Sequence, residues 1–246
     1  MKRLYLLLIL LALMVLALVF KPYLRIAAAP LVRKFTKAKT VAERVEQYGP
    51  NAHSRLKPYF EKVHVEYPPK RVAFIGLKTE RVLQIYAAGS TGAFHFVRSY
   101  PILAASGDPG PKLREGDDQV PEGIYPIESL NPNSTFHLSL RVGYPNSFDR
   151  DQAGKDGRTK LGGDIMIHGS FVSAGCLAMG DEAVEDLFVL AADTGLKNLE
   201  VIISPVDFRV GKAVPPPTSL PAWSNRLYDG IKAKLVEFPP ETNRAK

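Results

Sequence analysis

The sequence predicts a mostly β domain near residues 65–210, with one α-helix packed on the sheet and an N-terminal membrane helix before it. Three observations lead to this fold class: many short apolar runs separated by Gly- and Pro-rich loops, one amphipathic helical pattern, and an uncharged apolar run at residues 4–20. Of 246 residues, 46% are hydrophobic and 23% charged, which excludes wholesale disorder and a polytopic membrane protein.

The N-terminal run is seventeen apolar residues long, enough to cover about 26 Å as a helix. That is short for a membrane span and long for the core of a signal peptide. Three alanines at residues 27–29 offer a cleavage site, but they lie seven residues beyond the run and precede Pro30. An uncleaved anchor at residues 1–21 is therefore favoured over a cleaved signal.

The net charge of +7 is concentrated at the N-terminus. Residues 1–42 hold eight basic and no acidic residues, whereas the rest of the chain holds 24 basic and 25 acidic ones. A folded part without basic excess argues against nucleic-acid binding, and basic residues beside an apolar run are typical of contact with lipid headgroups. Charge counting alone would put the C-terminal side in the cytoplasm, because more basic residues follow the run than precede it.

The elements of the domain follow in chain order. Residues 22–64 are predicted to be a basic connector, helical near Thr40–Gln47 and again over Asn51–His64. Strands are predicted over Arg71–Leu77, Arg81–Ala87, Ala93–Tyr100, Phe136–Val142, Asp164–Ile167 and Leu199–Ile203. Ser106–Glu115 and Asn146–Lys160 are predicted to be loops because they are polar and contain glycine.

The packed helix is expected to begin at Asp181 as N-cap and to end at Gly195. Its apolar face is formed by residues at helical spacing, namely Val184, Leu187, Phe188 and Ala191. Residues 211–246 read as a Pro-rich tail with a further helix over Trp223–Val236.

Two residues close together in the chain carry a recognisable chemistry. His168 ends an apolar strand, and Cys176 follows Gly175 eight residues later. A thiol becomes a nucleophile at neutral pH when an imidazole accepts its proton, and amides around Gly175 and Cys176 would donate to an oxyanion. The alternative is purely structural, since a lone cysteine is commonly a small buried hydrophobe and a strand histidine is commonly hydrogen-bonded in a core.

Metal binding is not expected from this sequence. One cysteine excludes an intramolecular disulfide and a cysteine-clustered metal site. The five histidines, at positions 53, 64, 95, 137 and 168, show no metal-ligand spacing. We expect no metal site.

Two motifs resemble the L,D-transpeptidase catalytic domain, the YkuD family. The first is the segment at residues 163–167, followed by His168-Gly169 and by Ser173-Ala174-Gly175-Cys176. The second is Gly116-Asp117 followed by Pro-Glu-Gly-Ile-Tyr at residues 121–125, which is similar to the family's Gly-Asp-x-x-Thr-Pro-x-Gly-x-Tyr segment. The motifs occur in the family's order, and the resemblance covers about residues 68–205.

Three positions differ from the commonest family pattern: Ala174 replaces a histidine, Ala178 an arginine and Val120 a threonine. The short spacing from histidine to cysteine and the Ser-x-Gly-Cys-x-x-Met form resemble the YafK-like branch, some members of which cut bonds at diaminopimelate rather than make them. Small side chains at 174 and 178 predict room for water, and therefore hydrolysis in preference to transfer to an amine. The acceptor nevertheless stays open between amine and water.

The resemblance implies a β sandwich or barrel-like sheet and a cysteine-dependent acyl transfer on peptidoglycan stem peptides. Cys176 would attack the diaminopimelate carbonyl, His168 would act as base and then as acid, and the carbonyl of Gly169 would orient the imidazole. Oxyanion and substrate-binding roles fall to Ser173, Ala174 and Gly175. Further substrate contacts are predicted for Tyr144, Arg141 and Arg158.

The implied location is the periplasm, with the domain anchored in the inner membrane, or secreted if the N-terminal segment is cleaved; this opposes the charge count. The implied partners are peptidoglycan, the membrane and, as a further hypothesis, an envelope protein or secretion machine. The alternative function, from another class, is a catalytically inactive, membrane-anchored murein-binding or scaffold protein.

Overall fold

A computed structural model of the chain describes residues 37–214 and 220–241. The predicted anchor at residues 1–21 and residues 22–36 of the basic connector lie outside these ranges. No helix within the two ranges is both long and apolar enough to cross a membrane. The chain divides into two units, Met1–Lys39 and Thr40–Lys246, and the architecture below is that of the second.

Nine strands within the described residues form one mixed sheet. They are β1 (Arg71–Leu77), β2 (Val82–Ala88), β3 (Phe94–Pro101), β4 (Ala104–Ala105), β5 (Gly123–Ser134), β6 (His137–Val142), β7 (Met166–His168), β8 (Leu177–Ala178) and β9 (Leu199–Ser204). Their order in the sheet is β3-β2-β1-β9-β5-β6-β7-β8-β4. The pairs β1–β9 and β7–β8 are parallel, and the other neighbours are antiparallel.

The first half of the sheet, formed by β3, β2, β1 and β9, is covered on both faces. Successive residues of β1 point to opposite sides, so that Phe74 lies in one core and Ile75 in the other. This explains the continuous apolar run that predicts β1. The prediction of β1 is confirmed at both ends, and those of β2, β3, β6 and β9 agree to within one residue.

The two halves of the sheet share one core. Phe74 of β1 belongs to the same buried cluster as Leu140 of β6 and Ile167 of β7. A Cβ built at Gly76 of β1 would lie 3.4 Å from the Leu177 side chain of β8. Strands from the two halves of the sheet therefore face each other, in the sandwich-like arrangement that the resemblance implies.

Four α-helices lie in the described residues: α1 (Val41–Lys62), α2 (Ser147–Lys155), α3 (Asp181–Thr194) and α4 (Ser224–Leu235). More helices pack on the sheet than the one expected, because α1 and α4 also bury residues in its two cores. α1 is also a single helix rather than two, since it continues through Pro50. Leu56 and Phe60 of α1 are buried in the same core as α3. The compact unit begins at Thr40, and the boundary of the catalytic domain near residue 65 stays a prediction.

The helix over Asp181–Thr194 is confirmed with one correction. Its predicted apolar face is fully buried, and Gly195 ends it with a positive φ of 82°. The N-cap, however, is Gly180, and no side-chain cap hydrogen bond is present. Asp181 is the first helical residue instead, and its Oδ1 accepts from the backbone amide of Ser170 at 2.9 Å.

Two further elements differ from the prediction. The longest strand, β5, was not predicted, and α2 lies in the predicted loop Asn146–Lys160. α2 begins with a capping box in which Asn146 and Asp149 bond each other's backbone amides. Its buried residues include Asp149 and Gln152, so that it lacks the apolar periodicity from which helices are recognised. The helix predicted in the tail, by contrast, is confirmed as α4.

Candidate active site

His168 ends β7, and Cys176 comes just before the neighbouring parallel strand β8. The register pairs Ile167 of β7 with Leu177 of β8, and His168 with Ala178. In the register of the two strands Cys176 lies beside Met166, which is two residues before His168. The pairing of two short strands therefore brings together residues that the sequence separates by the intervening turn.

The imidazole of His168 is held from two sides. Its Nδ1 lies 2.5 Å from the carbonyl oxygen of Gly169, and its ring stacks on Phe136 with 4.7 Å between ring centroids. With Nδ1–H donating to that carbonyl, Nε2 carries the lone pair and is the proton acceptor. Burial lowers the pKa of His168 below its ordinary value of 6.5, so that the ring is neutral at neutral pH.

Glycine at position 169 is required by space. A Cβ there would lie 2.6 Å from the carbonyl oxygen of Phe136 and 2.8 Å from the Asp181 carboxylate. The backbone at Gly169 is fixed in place because its amide donates to the carbonyl of Leu138 at 3.2 Å. This close approach brings the Gly169 carbonyl against the imidazole.

The thiol of Cys176 is half-buried and lies against backbone groups. Its Sγ accepts from the amide of Met166 at 3.4 Å and donates to the carbonyl of Asp164 at 3.7 Å. Burial raises the pKa of Cys176 above its ordinary value of 9.0, and the Met166 amide opposes this only in part. No hydrogen bond joins the thiol to His168 within the described part of the chain. The resting pair is therefore a neutral thiol and a neutral imidazole.

The segment before the cysteine is held by two serine hydroxyls. The amide of Gly175 donates to Oγ of Ser106 at 2.6 Å. The amide of Cys176 donates to Oγ of Ser173 at 3.1 Å, and the same hydroxyl donates to the carbonyl of Cys176 at 2.6 Å. Both amides predicted to serve an oxyanion thus have partners in this structure, while Ala174 is exposed.

The loop that carries Ser106 is anchored by a buried ion pair. Lys78 Nζ lies 3.1 Å from the Glu122 carboxylate and donates to the carbonyls of Gly110 and Val120, both at 3.0 Å. Glu122 is fully buried and also accepts from Tyr228 at 3.0 Å. The ion pair therefore ties the loop, at Gly110 and Val120, to the residue that follows β1 and, through Glu122, to α4.

The predicted substrate contacts lie in different environments. Tyr144 is buried, and its hydroxyl donates to the carbonyl of Leu161 at 3.3 Å. Arg141 pairs with Glu128 and with Asp164, whose carbonyl meets the thiol. Arg158 donates to a loop carbonyl, that of Leu113, at 2.8 Å and pairs with an adjacent aspartate. Arg141 thus adjoins the cysteine segment, whereas the Tyr144 ring belongs to the core.

The expected space for water around Cys176 is only half present. Ala178 is fully buried in β8, between β7 and β4, so that no room opens there. Ala174 alone is exposed. The prediction of open space for water is therefore wrong at position 178.

Sequence reasoning missed Ser106 and Phe136. Ser106 lies 69 residues before its partner Gly175, in a segment with no motif other than its glycines and prolines. Phe136 was placed on a half-buried strand, and alternation alone cannot tell that its ring meets an imidazole. No group of three or more metal-ligating side chains occurs in residues 37–214 and 220–241.

Residues 70–203 match the family described as the L,D-transpeptidase catalytic domain, YkuD. The curated protein "Putative L,D-transpeptidase YafK" of Escherichia coli strain K12 is 34% identical over 133 residues, which are 52% of this chain and 51% of that protein. The same figures hold for its counterpart in strain O157:H7. The chain thus spans about half the length of the curated relatives it matches.

Two solved structures are similar at lower identity. Bd1075 of Bdellovibrio bacteriovorus is 22% identical with a TM-score of 0.41, over 57% of this chain and 50% of that one. The helical cell shape determining protein Pgp2 of Campylobacter jejuni is 22% identical with a TM-score of 0.44, over 58% and 50%. The resemblance found in the motifs is confirmed by the family match, which extends over more than half of the 246 residues: this chain belongs to the L,D-transpeptidase catalytic domain family.

Proposed function

We propose that this protein is a cysteine acyltransferase or peptidase that acts on peptidoglycan stem peptides at the diaminopimelate residue. The observation that carries the proposal is the contact of His168 Nδ1 with the carbonyl of Gly169, 2.5 Å away. It leaves Nε2 as a proton acceptor on the strand beside Cys176. Membership in the family supplies the substrate class.

The first chemical step forms a thioester. Cys176 Sγ passes its proton to Nε2 of His168 as it attacks the carbonyl carbon, and the carbonyl π electrons move onto the oxygen. Because the resting thiol and imidazole are both neutral, the proton moves during attack and not before it. The imidazolium then returns the proton to the leaving amine as the carbon–nitrogen bond breaks.

Stabilisation of the oxyanion requires a small change at the cysteine loop. The Cys176 amide is engaged by Ser173 Oγ, at a long 3.1 Å. The hydroxyl keeps its shorter bond to the Cys176 carbonyl, so that it can give up the amide without losing its place. The amide of Gly175, bonded to Ser106 at 2.6 Å, serves instead to hold the loop.

The thioester is resolved by an amine or by water. An amine yields a new amide, and hence a cross-link or an attached protein, whereas water yields cleavage; in both cases His168 accepts the nucleophile's proton and returns it to the thiolate of Cys176. The exposed position 174 favours water. No metal or organic cofactor takes part in this sequence of steps.

The proposed location is the cell envelope, because peptidoglycan lies outside the cytoplasmic membrane. The apolar run at residues 4–20 would anchor the chain in the inner membrane or direct it to the periplasm. Peptidoglycan is the proposed partner, together with the membrane at the N-terminal segment. An envelope protein or secretion machine is a further candidate.

Mass spectrometry of muropeptides incubated with the full chain tests the proposal. Wild type is expected to change muropeptide masses, and Cys176→Ala is expected to leave them unchanged. A second arm with a millimolar D-amino acid separates exchange from hydrolysis, and hydrolysis is expected to dominate. Lys155→Gln, an exposed change on α2, serves as the matched control. An unchanged muropeptide profile with wild type would favour the scaffold alternative.

A further inference from the structure

A surface cavity of about 570 Å³ borders the loop that runs toward the cysteine-contacting residue Asp164. It is lined by loop residues 158–162, by Glu115, by Pro145 and by the middle and C-terminal end of α2. One wall ends at Gly162, and two residues later the carbonyl of Asp164 accepts from the Cys176 thiol at 3.7 Å. The chain itself therefore leads from the cavity to the nucleophile.

The walls of the cavity are held together by backbone contacts. The amide of Glu115 donates to the carbonyl of Lys160 at 3.0 Å, and a Cβ at Gly162 would lie only 3.0 Å from Glu115 Cα. The segment of Glu115 is in turn fixed by Asp117, which accepts from the amides of Leu113 and Arg114 at 2.9 Å. The cavity is thus preformed, which lowers the entropic cost of binding.

The lining carries an excess of positive charge. Three cations, Arg150, Arg158 and Lys160, face one acid, Glu115. Arg158 is paired with Asp156, whereas neither Arg150 nor Lys160 forms an ion pair with any residue that the structure describes. Pro145, Ala153 and Leu161 supply an apolar lining. Unpaired cations above an apolar surface suit a carboxylate attached to a carbon skeleton.

We propose that this cavity binds a carboxylate of the stem peptide while the adjacent peptide unit lies at Cys176. The proposal rests on the proposed function for its substrate and adds the subsite that orients it. Arg150 donates one N–H to the carbonyl of Pro145, and the rest of its fork can bind the carboxylate. Lys160 supplies the second charge.

A binding measurement tests the subsite without turnover. Isothermal titration calorimetry would use the full chain carrying Cys176→Ala. Two ligands would be compared: a diaminopimelate-containing stem peptide whose carboxylates are free, and the same peptide with its carboxylates amidated. In that background the double change Arg150→Gln and Lys160→Gln is expected to raise the Kd of the free peptide about tenfold to a hundredfold. The Kd of the amidated peptide is expected to stay within twofold.

The control is Lys155→Gln, which removes an α2 cation that pairs with Asp151 and does not line the cavity. It should leave both Kd values unchanged. The subsite would be overturned if the double change weakened the binding of both peptides equally or left the Kd of the free peptide unchanged. It would also be overturned if the parent chain bound neither peptide. Failure of the proposed function is seen separately, as a wild-type chain that yields no product from muropeptides.

Discussion

The two halves of the sheet are stabilised in different ways. In the half formed by β3, β2, β1 and β9, strands of six to eight residues are joined by long ladders, with a register shift between Ile85 and Tyr86 of β2. In the other half, β5 has twelve residues and β6 six, but β7 has three and both β8 and β4 have two. The site belongs to the half in which the ladders are shortest.

Around the cysteine, where the strand ladders are short, side-chain hydrogen bonds hold the backbone in place. Ser106 and Ser173 hold the amides of the nucleophile segment, Asp117 holds the loop at 112–119, and the Lys78–Glu122 pair ties that loop to the first half. Such bonds fix atoms at defined positions without burying much apolar area. Stability thus resides mainly in the long strands, whereas the chemistry depends on directed polar contacts.

Cys176→Ser should give the largest effect on activity. A serine hydroxyl has a far higher pKa than a thiol, and the site offers one imidazole to activate it, so that turnover of muropeptides should fall at least about a thousandfold. The free energy of unfolding in urea should change by about 1 kcal/mol or less, because the side chains are similar in size. Retention of a tenth of the wild-type rate would contradict the assignment of the nucleophile.

Phe74→Ala should show the reverse behaviour. Phe74 is fully buried in β1, between β2 and β9, so that removal of its ring should lower the free energy of unfolding by about 3–5 kcal/mol. Under conditions in which the variant is folded, the rate per folded molecule should stay within threefold of wild type. A larger loss would mean that the first half also positions the site, and the comparison would fail.

The pH profile sharpens the chemical side of the comparison. The pKa of His168 lies below 6.5 and that of Cys176 above 9.0, in both cases mainly because of burial. Activity should therefore stay level from below pH 6.5 to above pH 9.0 and fall outside that window. The alkylation rate of Cys176 by iodoacetamide should rise with a midpoint above 9.0 in the folded protein and near 9.0 in urea.

The same shifts set the pH dependence of stability. The pKa of His168 is lower in the folded chain than its ordinary value of 6.5. At a pH between the two values the unfolded chain therefore binds more protons than the folded chain, so that the free energy of unfolding falls as the pH drops below 6.5. For Cys176 the folded chain binds more protons above 9.0, and stability falls as the pH rises through that range. A folded-state midpoint for alkylation below 9.0 would contradict the raised pKa of the Cys176 thiol.

The first half of the sheet could be predicted largely from local pattern. Arg71–Leu77 is apolar along its length because both faces are covered, and such runs are recognisable in one sequence. β5 was missed because its twelve residues include Pro126 and Pro132, which are rare inside strands. α2 was missed because Asp149 and Gln152 are buried where an apolar stripe was expected.

The site was only partly predictable for a related reason. His168, Gly169 and Cys176 lie close together in the chain, and their residue types indicate their chemistry. Ser106 and Phe136 reach the site from 69 and 32 residues away from Gly175 and His168, through the strand order of the sheet. Contacts of this kind depend on topology, which residue spacing does not encode.

Ser106→Ala should produce the smallest of these effects. The buried amide of Gly175 would lose its acceptor at 2.6 Å, at a cost of about 1–3 kcal/mol. Since Gly175 adjoins Cys176 and has a positive φ of 90°, the loop should relax toward other conformations and displace the thiol. We expect muropeptide turnover to fall about tenfold, with a smaller loss of stability than in Phe74→Ala.

The matched control for this prediction comes from the other half of the sheet. Ser99 lies half-buried in β3, and its hydroxyl makes no hydrogen bond with the residues that the structure describes. Ser99→Ala should therefore change neither turnover nor the urea midpoint. If Ser106→Ala behaved like Ser99→Ala, the polar contacts around the cysteine would be dispensable, and the short strands alone would position the nucleophile. If Ser106→Ala instead destabilised the fold as much as Phe74→Ala, stability and chemistry would not be divided between the two halves.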